Sequence, residues 1–443
     1  MRKNIAAGWR GVFMGAGLSI VGAVRGQGER EIRVSDTLRQ QMTYGMDFER
    51  LWHFEGLEDL DELARVAVGE CKVEYVRIAI DGAAEREEGQ INWEVYERQL
   101  EIMRALRRAN PTVKFFAVPR PFHVAAPGAP YTPFPLWITE FEPAPSEDGR
   151  QRFVRFHPDK AAGYLVRFLR FMKEQGFEIA YLDSKNECCR FLRPAPIAEM
   201  IGRVRAEMGV EMPKVIAPSS YHWRQGAEWL HEAAENGLTD FFDIAASHNT
   251  RDVGSPEEFV EAARPFGCPI WNTELHGFQG PDEEAAVRSE ILFRHIRAGF
   301  GGLNDWLTLG NERKTHKMLR NIEGTLEVMR TYYIFKQLVN TSGGGHYLDT
   351  SVPDGLTTTA AFARDDLLTV WVLNAGEREV PEVVIRFSGH APGGEVGILW
   401  WGPENSRQGS TSQAAMSEDG AFRHAIAART LYCFTFYRMA ENR

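Results

Sequence analysis

IAYLDSKNECC, residues 179–189, holds a short apolar run that ends in Tyr181 and Leu182 and passes at once into Asp183, Ser184, Lys185, Asn186 and Glu187. Such a run reads as a buried strand, and its polar residues begin where the strand ends. In a barrel of parallel strands that end is the face where side chains from several strands converge on a ligand. Glu187 there is a candidate catalytic carboxylate, with Asn186 as a neighbour able to hydrogen-bond what it acts on. A second carboxylate has the same setting 87 residues on, Glu274 in CPIWNTELHG. Two carboxylates on two strand ends suit cleavage of a glycosidic bond: one protonates the leaving oxygen, the other attacks the sugar carbon or activates water. The alternative for each is solvated surface charge, because the chain has 61 acidic residues. Matched contexts in two strands favour a site.

Working outward, residues 42–48 (MTYGMDF), 73–80 (VEYVRIAI) and 113–118 (VKFFAV) read as strands one to three, with helical spacing at 58–68, 93–108 and 158–175 between and after them. Beyond strand four, helices at 196–208, 226–236, 255–263 and 283–298 alternate with strands at 214–217, 241–246, 269–273 and 302–309, and a helix at 325–339 closes the series. Eight such pairs predict a (β/α)8 TIM barrel of the α/β class. A doubly wound open sheet is the alternative, but no GxGxxG or Walker sequence follows the early strands. The long polar and Pro-rich segment 119–150 carries Arg120, Phe122, His123, Tyr131 and Trp137, which reads as a wall of the substrate cleft.

At Ser342-Gly-Gly-Gly-His346 helical spacing stops, and short alternating runs separated by Gly, Pro, Asn and Asp take over. They predict an all-β domain, a sandwich, over 341–443. A short strand at 31–34 is available to add to it. Its Trp400-Trp401 pair suits packing on the barrel or contact with glycan.

Residues 1–26 have the pattern of an export signal: Arg2, Lys3 and Arg10, a weakly apolar run at 11–24, and small residues Ala23 and Gly26 before a cleavage point. The run is too short to span a bilayer. The barrel segment is then 27–340, and the expected location is secreted or periplasmic. Removing Arg2, Lys3, Arg10 and Arg25 and no acid moves the formal charge from −10 to −14, which argues against nucleic acid as a partner. With 44% hydrophobic and 25% charged residues the chain is an ordinary globular one. Its five cysteines are an odd number and form no disulfide framework; Cys188 and Cys189 are either free or a strained neighbouring pair. No CxxC or HExxH spacing suggests a metal, so no cofactor is expected.

Carboxylates at strands four and seven of a barrel, with a trailing sandwich, resemble the clan A retaining glycoside hydrolases, families 30 and 39 in particular. YGMDFERLW, YVRIAID, INWEVYERQLEIMRALRRANP and WNTELHG are further similar to family 86 agarases and porphyranases. The resemblance implies Glu187 as general acid/base, Asn186 as holder of a sugar hydroxyl, and Glu274 as nucleophile. It implies Arg77 beneath the nucleophile, His248 hydrogen-bonded near it, and Trp306 as a sugar platform. Tyr221 and His222 after strand five, with His123 and Lys185, complete the expected substrate-binding set. Asn-Glu is often followed by Pro in these families and here by Cys188-Cys189, which leaves the neighbouring subsite open. Arg120, His123, Lys185, Arg190 and Arg193 form a basic group that suits sulfate or carboxylate on a polymer, or else pair with nearby acids.

The expected activity is retaining hydrolysis of a polysaccharide, with an algal galactan of agar or porphyran type as the substrate the finer resemblance suggests. A non-catalytic carbohydrate-binding protein on a degenerate barrel is the main alternative. A metal-dependent deacetylase or an esterase would need clustered His and Asp ligands or GxSxG, and neither occurs. Oligomeric state, linkage and endo or exo action do not follow from the sequence.

Overall fold

The computed structural model describes residues 30–120, 132–142, 152–311, 316–389 and 392–437. The signal segment 1–26 and His123, Phe122 and Tyr131 lie outside the described residues. Eight parallel strands close a barrel: β1 (Thr43–Asp47), β2 (Tyr75–Asp81), β3 (Lys114–Arg120), β4 (Ile179–Asp183), β5 (Lys214–Ser220), β6 (Ile244–His248), β7 (Ile270–Leu275) and β8 (Gly302–Asp305).

The helix Pro158–Glu174 shows how the outer layer forms. Pro158 begins it, where a missing N–H is harmless, and Asp159 places negative charge in the first turn. Ala161, Leu165, Phe168 and Met172 recur at helical spacing and are buried against the sheet. Each large side chain of such a stripe is worth about 2 to 5 kcal/mol against Ala. The helix stops at Gly176 (φ 83), where Phe177 N donates to Met172 O at 2.8 Å.

Inside the barrel, Tyr75, Phe116, Tyr181, Ile216, Ile244, Ala246 and Trp271 form a separate apolar floor. Tyr75 and Trp271 stack with ring centroids 5.1 Å apart and planes at 2°. Gly45 and Gly302 make room for these rings, because a Cβ at either would collide with Tyr75 or Trp271. The floor fills the lower part of the barrel, so polar side chains have space only above it, at the carboxyl ends of the strands.

The second domain is one hydrogen-bonded run of nine strands, mostly antiparallel, ordered 410–415, 393–401, 430–437, 367–374, 358–364, 346–350, 31–41, 380–387 and 422–426. Ile32, Val383, Phe422, Val370, Ile398 and Phe434 meet in its core, so the two ends of the run face one another as a sandwich. The strand Glu31–Gln41, which is longer than expected, lies in this sheet and not in the barrel. Trp401 is buried and stacks with Trp371, which lies 5.7 Å from Phe293 of the barrel's outer layer, so this Trp packs domain against domain.

One expected element differs. The helix expected at 325–339 is a strand, Thr325–Val328, followed by the helix Arg330–Ser342. The strand pairs with Leu319–Ile322 through a tight turn at Glu323 (φ 53) and Gly324 (φ 84), a two-residue hairpin that helical periodicity cannot reveal. Among the described residues no helix is long and apolar enough to cross a membrane.

Candidate active site

Glu187 is held by a sharp departure from strand geometry. Asp183 ends β4, and its Oδ1 accepts from the backbone N–H groups of Lys185 and Asn186 at 3.0 and 2.9 Å. The backbone then enters the left-handed region at Asn186 (φ 41) and Glu187 (φ 56). Asn tolerates that region, whereas for Glu it costs roughly 1 to 2 kcal/mol. The turn is fixed across the sheet, because Glu187 N donates to Ser219 O at 2.7 Å and Glu187 bridges Ser220 of β5.

Glu274 reaches the interior by another device. Trp271 faces the barrel floor while Leu275 joins the outer core, although residues four apart on a regular strand share a face. Register shifts on both sides of β7 beyond Asn272 change the phase. Asn272 Oδ1 accepts from Glu274 N at 3.0 Å and holds the irregularity. A local bulge of this kind re-aims a side chain.

The two carboxylates converge. An oxygen of Glu187, a ring nitrogen of His248 and an oxygen of Glu274 all lie within 4.8 Å of one another. His248 stands between them, with Nδ1 3.1 Å from Glu187 Oε1 and 3.5 Å from Glu274 Oε2. Their surroundings differ. The Glu274 side chain is 3% exposed, with Arg77 Nη1 2.6 Å from its Oε1, Arg120 Nη2 3.6 Å from the same oxygen, and His276 Nε2 3.7 Å from Oε2. Burial alone would raise its pKa, but His248, Arg77, His276 and Arg120 outweigh that and hold it well below the usual carboxylate range. The Glu187 side chain is 14% exposed and has as neighbours His248 and, at 3.5 Å, Thr250 Oγ1.

Beneath the pair, Arg77 is fully buried and donates to Asp47 Oδ2 at 2.7 Å and to Asn186 Oδ1 at 3.0 Å. That second bond fixes which end of the Asn186 amide is oxygen. Burial opposes the charge of Arg77, yet Glu274, Asp47 and Asp183 keep its pKa above the ordinary guanidinium value. Glu49, at the end of β1, is 4% exposed and serves several partners: Arg120 by an ion pair, Arg77 at 3.3 Å, Arg50 at 3.8 Å and Trp306 Nε1 at 3.4 Å. Asp305 at the end of β8 is buried beside Gln279, and burial, opposed by Lys317, pushes its carboxyl up to about 7.

The structure thus brings together Glu187, Glu274, Asn186, Arg77 and His248, with Trp306 alongside. Trp306 stands 4.4 Å, centroid to centroid, from the His276 ring. Of the other expected residues, Lys185, His222 and Tyr221 lie elsewhere, and His123 is outside the described residues. Lys185 is fully buried in the wall, its Nζ 2.8 Å from Cys189 Sγ and 5.6 Å from the Trp229 ring centroid, because the turn after Asp183 points it outward. His222 caps the helix Trp223–Glu235 by accepting from Gln225 N at 3.2 Å, and burial lowers its pKa toward the neutral form that can accept. Tyr221 is half-buried under Arg251, 5.6 Å from its ring centroid. Of the expected basic group, Arg120 pairs with Glu49, Arg193 with Glu232, and Lys185 is inside. Cys188 and Cys189 are free thiols.

Sequence reading missed Glu49, His276 and Thr250 as members of the site, and Arg120 as a partner of Glu274. The available signal was position: Glu49, Arg120 and His276 each stand at or just after the end of a barrel strand. The Glu187, His248 and Glu274 donors are close enough to hold an ion, but Arg77 and Arg120 put positive charge against Glu274, which disfavours a divalent cation there.

No protein-family model and no curated protein matches the chain. Solved structures do match its shape. The catalytic domain of GH30 xylanase C from Talaromyces cellulolyticus superposes with a TM-score of 0.73 at 13% identity, covering 92% of this chain and 99% of that one. A GH30 endoxylanase from Clostridium papyrosolvens C71 gives 0.68 at 15% identity over 92% and 100% of the two chains. A GH39 enzyme from Xanthomonas axonopodis pv. citri gives 0.57 at 12% over 94% and 100%. The chain has the barrel-and-sandwich fold of the clan A glycoside hydrolases.

Proposed function

We propose that this protein is a retaining glycoside hydrolase that cleaves a polysaccharide. The observation that carries the reading is the approach of Glu187 and Glu274, whose nearest oxygens lie within 4.8 Å at the carboxyl ends of β4 and β7. Retaining enzymes hold their carboxyl groups about 5 to 5.5 Å apart, whereas inverting ones need about 6.5 to 9.5 Å to admit a water. Glu274, kept ionised by its cationic shell, attacks the anomeric carbon. Glu187 protonates the departing oxygen, then takes a proton from the water that releases the sugar from Glu274. Asn186, its amide oriented by Arg77, is placed to hold a hydroxyl beside the scissile bond.

Xylanases and an endo-beta1,6-glucanase share the fold, which supports a polymeric substrate. The finer proposal is an agar- or porphyran-type galactan, supported by the YGMDFERLW and WNTELHG segments. Export is proposed from the basic and weakly apolar residues 1–26. The test is activity of purified protein on agarose, porphyran, carrageenan, xylan and β-glucans, beside Glu187→Gln and Glu274→Gln. Cleavage of one polymer by the wild type alone supports the reading. Binding without cleavage by any of the three replaces it with a carbohydrate-binding protein.

A further inference from the structure

β6 ends at His248, which pairs with Glu274 of β7, and the register between the two strands has already slipped past Asn272. The next residue, Asn249, continues the ladder with its side chain. Its Oδ1 accepts from His276 N at 2.9 Å and its Nδ2 donates to His276 O at 2.8 Å. One carboxamide thus takes up both backbone polar groups of His276 at the point where the β6 backbone no longer pairs. The same Oδ1 accepts from the buried Asn272 Nδ2 at 2.9 Å, and Asn272 Oδ1 accepts from Glu274 N at 3.0 Å. Because a backbone N–H can only donate, the bond from His276 N fixes which end of the Asn249 amide is oxygen.

An Asn just past a strand commonly bonds its own turn. The three bonds of Asn249 go instead to residues 23 and 27 positions later, on both sides of Glu274. On the opposite edge of β7, Trp306 N reaches Leu275 O only at 3.4 Å, so the shorter restraint on this tip comes from Asn249. What the tip carries is the site itself. His276 Nε2 lies 3.7 Å from Glu274 Oε2 and 3.2 Å from Thr250 Oγ1, which in turn lies 3.5 Å from Glu187 Oε1. His248 and Thr250, on either side of Asn249, therefore meet Glu187, while Asn249 itself fixes the segment that presents Glu274. The separation of the two carboxyl groups decides the course of the reaction, and a misplacement of about 1 Å costs about a hundredfold in rate.

Resting on the reading of Glu274 as the nucleophile, we propose that Asn249 is a positioning residue for it: the carboxamide supplies the missing rung between β6 and β7 and sets Glu274 and His276 against Glu187.

Full-length wild type, Asn249→Ala and the near-isosteric Asn249→Asp are compared by steady-state kinetics on the best polymer and by crystallography. Asn249→Asp keeps the two bonds accepted by Oδ1 and loses the one donated to His276 O. The expected result is a fall in kcat of about ten- to hundredfold in Asn249→Ala with KM changed by less than about threefold, and a smaller fall in Asn249→Asp. In the crystal structure of Asn249→Ala, His276 should leave its place beside Glu274 and the gap between Glu187 and Glu274 should change. Unchanged kcat in Asn249→Ala, a rise in KM alone, or a crystal structure in which Glu274 and His276 keep their places overturns the proposal. Where Asn249→Ala does not fold, Asn249→Asp decides, with a fall in kcat of about threefold or more expected and none overturning it. A wild type that cleaves no polymer sinks the hydrolase reading, while movement of Glu274 and His276 in the variant crystals still supports the role of Asn249. Cleavage by the wild type with no change in either variant does the reverse.

Discussion

Glu187 and Glu274 are the same side chain at the ends of two strands of one barrel, and nearly everything around them differs. Glu274 is sunk among Arg77, Arg120, His248 and His276, while Glu187 stands higher, on a left-handed turn, with His248 and Thr250 for company. A carboxylate surrounded by cations is held as an anion, which suits a nucleophile. Glu187 has no guanidinium partner among the described residues and lies nearer the open mouth, a position that suits an acid and base. The proposed roles therefore follow from the neighbours and not from the residue type.

The largest expected effect comes from removing the proposed nucleophile. Glu274→Gln should lower kcat on the polymer by about 10⁵-fold or more, on the scale seen when covalent nucleophiles are removed. Steady-state kinetics with the chromatographically purified variant checks this, and a loss of less than tenfold would break the assignment. Glu187→Gln should cost about 10² to 10⁴-fold on the polymer, the usual contribution of acid–base catalysis. Its first step should be far less affected on an aryl glycoside whose leaving group needs no proton. A stopped-flow burst of aryl alcohol, followed by slow turnover, sharpens the contrast between the two carboxylates; an equal loss on both substrates would blur it.

Asp305 extends the comparison to a third carboxylate, buried like Glu274 but without an arginine, and its pKa moves the other way, up to about 7. A carboxyl whose folded pKa is raised costs the native state nothing below the unfolded value, near 4. The penalty grows as pH rises toward 7 and is complete above it. Relative to Asp305→Asn, the wild type should lose up to about 4 kcal/mol of stability between pH 4 and pH 8. Urea unfolding of both proteins at the two pH values measures it; a parallel response would show that Asp305 ionises freely. The smallest effect belongs to His222, whose contact with Gln225 N is a helix cap. His222→Ala should cost about 0.5 to 2 kcal/mol in the same unfolding assay and leave kcat unchanged. A drop in activity with stability intact would return His222 to the substrate site.

Much of this molecule was legible in its sequence. Strand ends are marked by the switch from apolar to polar residues, which put Glu187, His248, Glu274 and Trp306 at one mouth; Arg77, inside its strand, was reached only through the family resemblance. What was not legible depends on contacts distant in the chain. Lys185 looks like its polar neighbours, yet it turns away from the mouth into the barrel wall, where Cys189 and Trp229, 44 residues later, receive it. Arg120 looks available for an anion until Glu49, 71 residues earlier, is found against it. Glu274 sits on the inner face only because of the register shift past Asn272, which no alternation rule foresees. The turn at Glu323 and Gly324 was hidden by a chance helical spacing in the residues that follow.

The central claim, that Glu187 and Glu274 act as acid/base and nucleophile in a double displacement, is tested most directly by the anomer first released. Time-resolved proton NMR of the reducing end, recorded before mutarotation on whichever polymer the wild type cleaves, reads it. The account predicts a product with the same anomeric configuration as the bond cleaved, absent with Glu274→Gln. An inverted product, or release undiminished in Glu274→Gln, would contradict it.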